Sequence, residues 1–476
     1  MREKTIFKTM VVIAGLLLQF NLSGQTPPIT LHVEKAGTLS TLIADNRKYE
    51  ITDLTLTGNL NGTDIRYIRE MTGRDARGNT TNGKLANLNL SGTNIVSGGD
   101  YYFYYAYFTP STCYTKNNFI STRMFYECSQ LKSIIFPNSV TSIELCAFSD
   151  CYNLTSVTIG NNLASIGDAY VIDGVTHYLN VGSIFSRCPN IKEFIVTEQN
   201  QNYSAIDGVL FNKDKTTIIK LPQTKSGTYT IPESVTSIHG IAFDECSSLT
   251  GVIIPNSVTS GVNFLGCNSL ASIIIPNSVI EYISFTDCNS LKDVTIGNSV
   301  TSVYFSSCSS LTSVTIPNSV TSYVGFSDCS SLTSVIIGNS ANSVRFYDCN
   351  KLTEIYSKNP TPPSGSFDSE TKKTCKLYIP KGSYAAYWVA WGFDNIIEMD
   401  FEDVTAINPI HKDNTTIKSI ANGIAIETKE TTPVSVYNLS GQIVYQSVIN
   451  ENKEIPLNKG VYIVSLNNES EKVIVK

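Results

Sequence analysis

Residues 308–328 read CSSLTSVTIPNSVTSYVGFSD, and this one unit decides the architecture. Leu311, Val314 and Ile316 are the apolar members of a short strand whose alternate side chains point one way. Pro317 and Asn318 then turn the chain, because proline donates nothing to a ladder and asparagine favours a tight turn. Val324 and Phe326 alternate again and predict a second inward-facing stretch. One such coil cannot bury its own apolar side. Stacked coils can, each inward column touching its counterparts above and below.

The unit recurs. Cys246, Cys267, Cys288, Cys308, Cys329 and Cys349 are spaced 21, 21, 20, 21 and 20 residues apart. Each has a phenylalanine three residues before it (Phe243, Phe264, Phe285, Phe305, Phe326, Phe346). Each also has a leucine three residues after it (Leu249, Leu270, Leu291, Leu311, Leu332, Leu352). Cys128, Cys151 and Cys188 mark longer units of the same kind. Adjacent coils should lie about 4.8 Å apart, the strand spacing. Each fully buried Leu, Ile, Val or Phe should contribute roughly 1.5–3 kcal/mol.

Residues 131–151, LKSIIFPNSVTSIELCAFSDC, carry a resemblance in nearly full form. The units resemble the BspA-type (Treponema-type) leucine-rich repeats of bacterial surface proteins. The resemblance covers 121–356 well, and 51–96 weakly through ITDLTLTGN and LANLNLSGTN. Residues 203–243 resemble a further element seen in that family. It implies a mainly β fold with minor α: a leucine-rich-repeat solenoid, a right-handed coil of short parallel strands. From Cys246 on, the units are a few residues shorter than is usual in the family, and the loss falls in the arc before the phenylalanine. The convex side there is predicted to be extended rather than helical.

After Leu352 the period stops, and the Pro-rich stretch from Lys358 punctuates the chain. Residues 377–398 resemble the strand-plus-helix segment that closes such solenoids. A cap is expected because a last coil would otherwise expose a sheet edge. Residues 404–416 read as a linker and 417–476 as a separate small β-sandwich. Its turn runs from Asn438 to Gly441, and its expected core includes Val434, Val436, Ile443, Val444, Val461, Ile463 and Ile474. The YNLSGQ, KGVYIV and KVIVK segments together resemble the C-terminal sorting domain of the type IX secretion system. The expected organisation is a signal peptide (1–24), divergent repeats with an aromatic insert (25–120), repeats (121–356), cap (357–403), linker (404–416) and sorting domain (417–476).

The first residues read as an address. Arg2, Lys4 and Lys8 precede the apolar run Met10 to Leu18, and a polar stretch follows. This is the layout of a secretory signal peptide, with cleavage expected between Gly24 and Gln25 and export through Sec. Leu22-Ser23-Gly24 would suit a lipoprotein signal, but Gln25 stands where the acylated cysteine must be. No later apolar run reaches about 18 residues, so no membrane span is expected in the mature chain.

Composition narrows the function. The chain has 476 residues, with 41 Asp+Glu against 35 Lys+Arg, a formal charge of −6. Without a basic block it is a poor match for nucleic acid, whose binding rests on phosphate neutralisation. Only 16% of residues are charged and 42% are hydrophobic, too apolar for disorder. Four scattered histidines offer little for imidazole chemistry or a His-rich metal site, and neither G-x-S-x-G nor H-E-x-x-H occurs. Gly78 to Lys84 approaches a phosphate loop, but Leu85 replaces the required Ser or Thr. No catalytic residue, metal site or cofactor is assigned.

Twelve cysteines in an exported chain would ordinarily point to disulfides. Here in-register side chains point in parallel, so the column reads as reduced, buried and structural. Pairing and zinc are the lesser alternatives; no C-x-x-C supports zinc. The Asn column (Asn256, Asn277, Asn298, Asn318, Asn339) reads as side chains bonding backbone at the turns.

Two candidate surfaces remain. The first is the set of residues that alternate with the inward ones on the strand face: Thr250, Ser272, Lys292, Asp293, Thr312, Ser313, Thr315, Thr333 and Ser334. These residues could equally serve only to keep the sheet soluble. Between 246 and 349 only seven residues are charged, so electrostatic steering should be weak. The second is the aromatic run 101–108, with Tyr101, Tyr102, Tyr104 and Tyr105 either packed on the early coils or stacking on a ligand. The resemblance implies a cell-surface or extracellular protein, handled by the type IX machinery, that adheres to host or bacterial surface proteins. The alternative is a glycan-binding module for polysaccharide capture, using the 101–108 aromatics.

Overall fold

The computed structural model describes residues 28–44, 46–105, 111–167, 170–172, 175–177, 184–401, 415–420, 423–428, 432–438, 443–458, 460–466 and 469–475. The chain winds as stacked coils, each contributing one strand to a front sheet. In the first half these are Ile29–Val33, Asp53–Leu60, Asn87–Ile95, Ser133–Ile135, Ser156–Ile159 and Glu193–Val196, all parallel and in chain order. A second, antiparallel arrangement interrupts the coil at Tyr203–Ile206, Val209–Asn212 and Thr217–Lys220. The front sheet resumes with strands such as Leu249–Ile253 and Ser272–Ile274. It ends in the parallel run Ser313–Ile316, Ser334–Ile337, Glu354–Ser357, Lys376–Pro380 and Asn395–Met399.

The opposite side of the second half is extended, as the shortened units predict. Val262–Leu265, Tyr282–Thr286, Ser302–Ser306, Tyr323–Ser327, Ser343–Tyr347 and Ser364–Phe367 form a six-stranded parallel back sheet. Phenylalanine faces phenylalanine in its register from Phe264 to Phe367. Inward residues of both sheets share one core. The rings stack at centroid separations of 4.9–5.8 Å from Phe243 to Phe367.

No disulfide joins the cysteines, which are buried in all cases except the half-buried Cys113, and Cys246 to Cys349 share the core of this stack. Several donate to the carbonyl of the phenylalanine one coil earlier: Cys151 to Phe125 (3.1 Å), Cys188 to Phe148 (3.0 Å) and Cys267 to Phe243 (3.1 Å). The residue before each repeat cysteine adopts a left-handed backbone, as at Asp287, Asp328 and Asp348 (φ 54–55°). Aspartate tolerates that region better than most residues, which accounts for its recurrence there; Gly266 takes the same place one coil earlier. Two members of the asparagine column bond backbone, and across coils: the Asn277 and Asn318 side-chain Oδ1 atoms accept from the backbone amides of Asn298 and Asn339.

The last rings are covered by a helix, Tyr384–Trp391, which stops at Gly392 in a left-handed conformation. Trp391 is buried against Phe367 (4.7 Å) and its indole donates to the Pro363 carbonyl at 2.8 Å. From Thr415 on, two antiparallel sheets face each other as a small sandwich. One is Thr415–Ile420, Gly423–Thr428 and Lys453–Pro456. The other is Thr432–Asn438, Ile443–Ile449, Gly460–Leu466 and Glu469–Val475. Val434 and Val436 are in its core as expected, together with Ile424, Ile426, Val464, Val473 and Val475. Val444 is not: it is 42% exposed, because the pleat turns that position outward. The side chains of Ile443, Val461, Ile463 and Ile474 lie outside the described set.

Candidate interaction surface

The front sheet places the predicted strand residues unevenly. Thr250, Ser272, Lys292, Asp293, Thr312, Ser313, Thr315 and Thr333 are exposed, and Ser334 is half-buried. Lys292, Thr312 and Thr333 precede their strands rather than lying in them. Their role is partly internal: the Thr333 hydroxyl and amide both donate to the Thr312 carbonyl, at 3.0 and 2.8 Å, and tie one coil to the next.

Register gathers the remainder into columns. Ser272 sits beside Asp293, and Ser313 beside Ser334, Glu354, Lys376 and Asn395 in succession. The next outward column runs Thr315, Ile336, Tyr356, Tyr378 and Ile397. Tyr356 and Tyr378 stack at 4.3 Å with 5° between planes. The Tyr356 hydroxyl donates to Glu354 Oε2 at 3.0 Å, and Tyr378 reaches Oε1 at 3.4 Å. Burial and the Glu354 carboxylate both push the Tyr356 phenol up, so it remains a neutral donor. Glu354, Tyr356, Lys376 and Tyr378 were not foreseen, because the period was read as ending at Leu352. The segment Leu352-TEIYS has the repeat's own strand spacing and was the available signal.

The described part of the aromatic run, residues 101–105, is held against the flank. Tyr102 is fully buried and its hydroxyl donates to the Thr122 carbonyl at 2.7 Å, so it has no face to offer a ligand; the expectation for that residue is corrected. Phe103 is 4% exposed under the guanidinium of Arg69 (4.9 Å). Tyr101 and Tyr105 are half-buried, with Arg66 and Arg123 at 5.2 and 4.1 Å from their ring centres. Tyr104 is half-buried, and Tyr107 and Phe108 lie outside the described residues. The rings are engaged by the chain's own arginines, an arrangement of packing with cation–π support.

In the loop after Arg74, the Asp75 carboxylate accepts from the amides of Arg77 and Asn79 (both 2.8 Å), so an anion already fills the place a phosphate would take. Among the described residues there is no cluster of three or more metal-ligating side chains, and no helix is long and apolar enough to cross a membrane.

The sequence matches the BspA type Leucine rich repeat region over residues 82–173, 182–281, 223–324 and 284–381. Residues 413–476 match the secretion system C-terminal sorting domain. No curated protein matches the chain. Among solved structures, the pneumococcal vaccine antigen PcpA is 18% identical over 74% of this chain and 80% of its own, with a TM-score of 0.44. A leucine-rich repeat protein from Eubacterium ventriosum is 22% identical over 62% of this chain and 83% of its own (TM-score 0.40). A leucine rich cell surface protein from Faecalibacterium prausnitzii is 20% identical over 71% and 76% (TM-score 0.40).

Proposed function

The chain belongs to the BspA-type leucine-rich-repeat family and ends in a type IX secretion sorting domain, and from that premise we propose that it is a non-catalytic surface adhesin for proteins. The sorting domain indicates delivery to the cell surface or extracellular space. In this reading the 1–24 segment first directs Sec export, with cleavage between Gly24 and Gln25. The tail is then removed near 404–416.

One observation supports the binding role most directly. The front sheet's outward residues fall into two adjoining columns, Ser313, Ser334, Glu354, Lys376 and Asn395 beside Thr315, Ile336, Tyr356, Tyr378 and Ile397, with Tyr356 and Tyr378 stacked. Such a face offers polar contacts around an aromatic centre, the composition that anchors protein interfaces. The test is to pan the purified protein against immobilised host proteins and bacterial surface proteins. Tyr356→Ala and Ser313→Arg should abolish retention of a bound partner while the repeat fold persists. Retention unchanged in both variants would remove this face from consideration.

A further inference from the structure

The back sheet presents a second surface, across the core from the front columns. On its five strands from Val262 to Tyr347 the outward positions carry Tyr282, Tyr304, Tyr323 and Tyr347 among Ser, Thr and Asn. Arg345 is the single charge on those positions.

Two of the rings pack over glycines. A Cβ added at Gly261 would come within 2.7 Å of the Tyr282 ring, and one at Gly325 within 2.5 Å of the Tyr323 ring. Each ring occupies the space that a side chain at the glycine would fill, and Tyr282 keeps 42% of its surface exposed. Tyr304 sits beside them, its centroid 6.3 Å from that of Tyr323. The Arg345 guanidinium is 5.8 Å from the Tyr323 ring centre. Shielding of glycine backbone explains the pose of Tyr282 and Tyr323. It does not call for Tyr304 and Tyr347 on the same face.

We propose that this face binds an extended, uncharged polysaccharide lying along the solenoid axis. The apolar C–H face of a sugar stacks on an aromatic ring, and its hydroxyls pair with short Ser, Thr and Asn side chains. Tyr282 and Tyr323 share a register column with Ser302 between them. They are therefore two coils, about 9.6 Å, apart at strand spacing. That repeat suits alternate residues of an extended β-linked chain. Charge selects the ligand class: one cation on five strands cannot balance a polyanion, whereas an uncharged ligand brings no ionic group of its own that must be paired. The inference is independent of the protein-binding reading, which uses the opposite sheet.

The test is affinity electrophoresis of the full chain in native gels cast with mixed-linkage β-glucan, xyloglucan or galactomannan, with polygalacturonate in parallel. Retardation is expected in at least one neutral gel and not in polygalacturonate. Tyr282→Ala and Tyr323→Ala should each weaken binding roughly tenfold, the size expected for loss of one stacking ring. Tyr323→Phe should bind as the parent does. Ser313→Arg, on the front sheet, should leave glycan retardation intact, which separates this proposal from the protein-binding one. Melting curves identify any variant that has lost its fold; Tyr304→Ala, whose ring is not seated on Gly261 or Gly325, then takes its place. No retardation in any neutral gel, retardation in polygalacturonate alone, or folded Tyr→Ala variants that bind as the parent does would each overturn the proposal.

Discussion

Phe264 and Phe285 lie parallel, their ring centres 5.3 Å apart with 2° between the planes. The contact is possible because the two residues are register partners in adjacent strands of the back sheet, and each side chain is fully buried. A ring in the middle of such a column touches one neighbour above and one below. Its loss is felt by both coils, as in any one-dimensional stack.

Phe285→Ala should accordingly destabilise the repeat region by roughly 3–5 kcal/mol, through a cavity that the paired strands cannot close. Phe285→Leu should recover most of that loss. Urea unfolding gives the magnitude, and hydrogen exchange gives the location, with protection lost first in the strands Val262–Leu265 and Ser302–Ser306. Alanine at 285 with unchanged stability would mean that the stack carries little of the core's energy.

The thiol column should be inert in the native state. Burial pushes Cys246 up to about 11 and Cys288 to about 12 from an ordinary value of 9.0. Native protein should react slowly with a thiol reagent, and denaturation without reductant should release the full reactivity. Mass spectrometry finding Cys–Cys links along the column would contradict the structure.

Those same shifts set an alkaline limit. Each thiol stays protonated when folded but ionises above pH 9 when unfolded, so its contribution is intact below pH 9 and is lost as pH rises toward 11–12. The loss approaches about 1.4 kcal/mol per thiol for each pH unit in that window. Urea midpoints between pH 8 and 11 should fall more steeply for the parent than for Cys288→Ala. Parallel curves would show that Cys288 ionises normally.

Binding of a protein partner to the front sheet should vary little with salt, because the exposed columns hold few charges. The measurement is affinity at low and moderate ionic strength. A fall of several orders of magnitude would point to a charged surface elsewhere on the chain.

The sorting domain should act as a folded unit. Val473 and Val475 on its last strand are buried with Val434, Val436 and Val464. Removing residues 472–476 takes that strand's core contacts away and should leave the protein in the periplasm. Cell fractionation checks this. Normal surface display of the truncated chain would show that the last strand is dispensable for sorting.

Spacing carried much of this fold into view. Phe, Cys and Leu recur at fixed offsets every 20 or 21 residues because each coil must put the same side chain over the one beneath it. The extended back sheet was equally legible, since a shortened arc leaves no room for a helical turn. The surfaces were less so. Tyr102 and Tyr104 are near neighbours in one aromatic run, yet the first is sealed in the core and the second half-buried. Alternation within a strand cannot tell which ring an arginine from another coil will cover. Thr312 and Thr333 read as outward strand residues but lie before their strands, where backbone bonds to neighbouring coils claim them.

Repetition alone determined the solenoid and its buried columns, because those depend on which side chains recur and at what interval. The tertiary structure decided what meets solvent as a group. Inter-coil register aligned Glu354 with Lys376 and Tyr356 with Tyr378 across a boundary where the period was read as ending. On the back sheet, the missing side chains of Gly261 and Gly325 make room for the rings of Tyr282 and Tyr323. Apart from the Tyr323–Gly325 contact, which lies within one strand, these depend on contacts between residues about a full coil apart on neighbouring strands, which spacing along one chain cannot express.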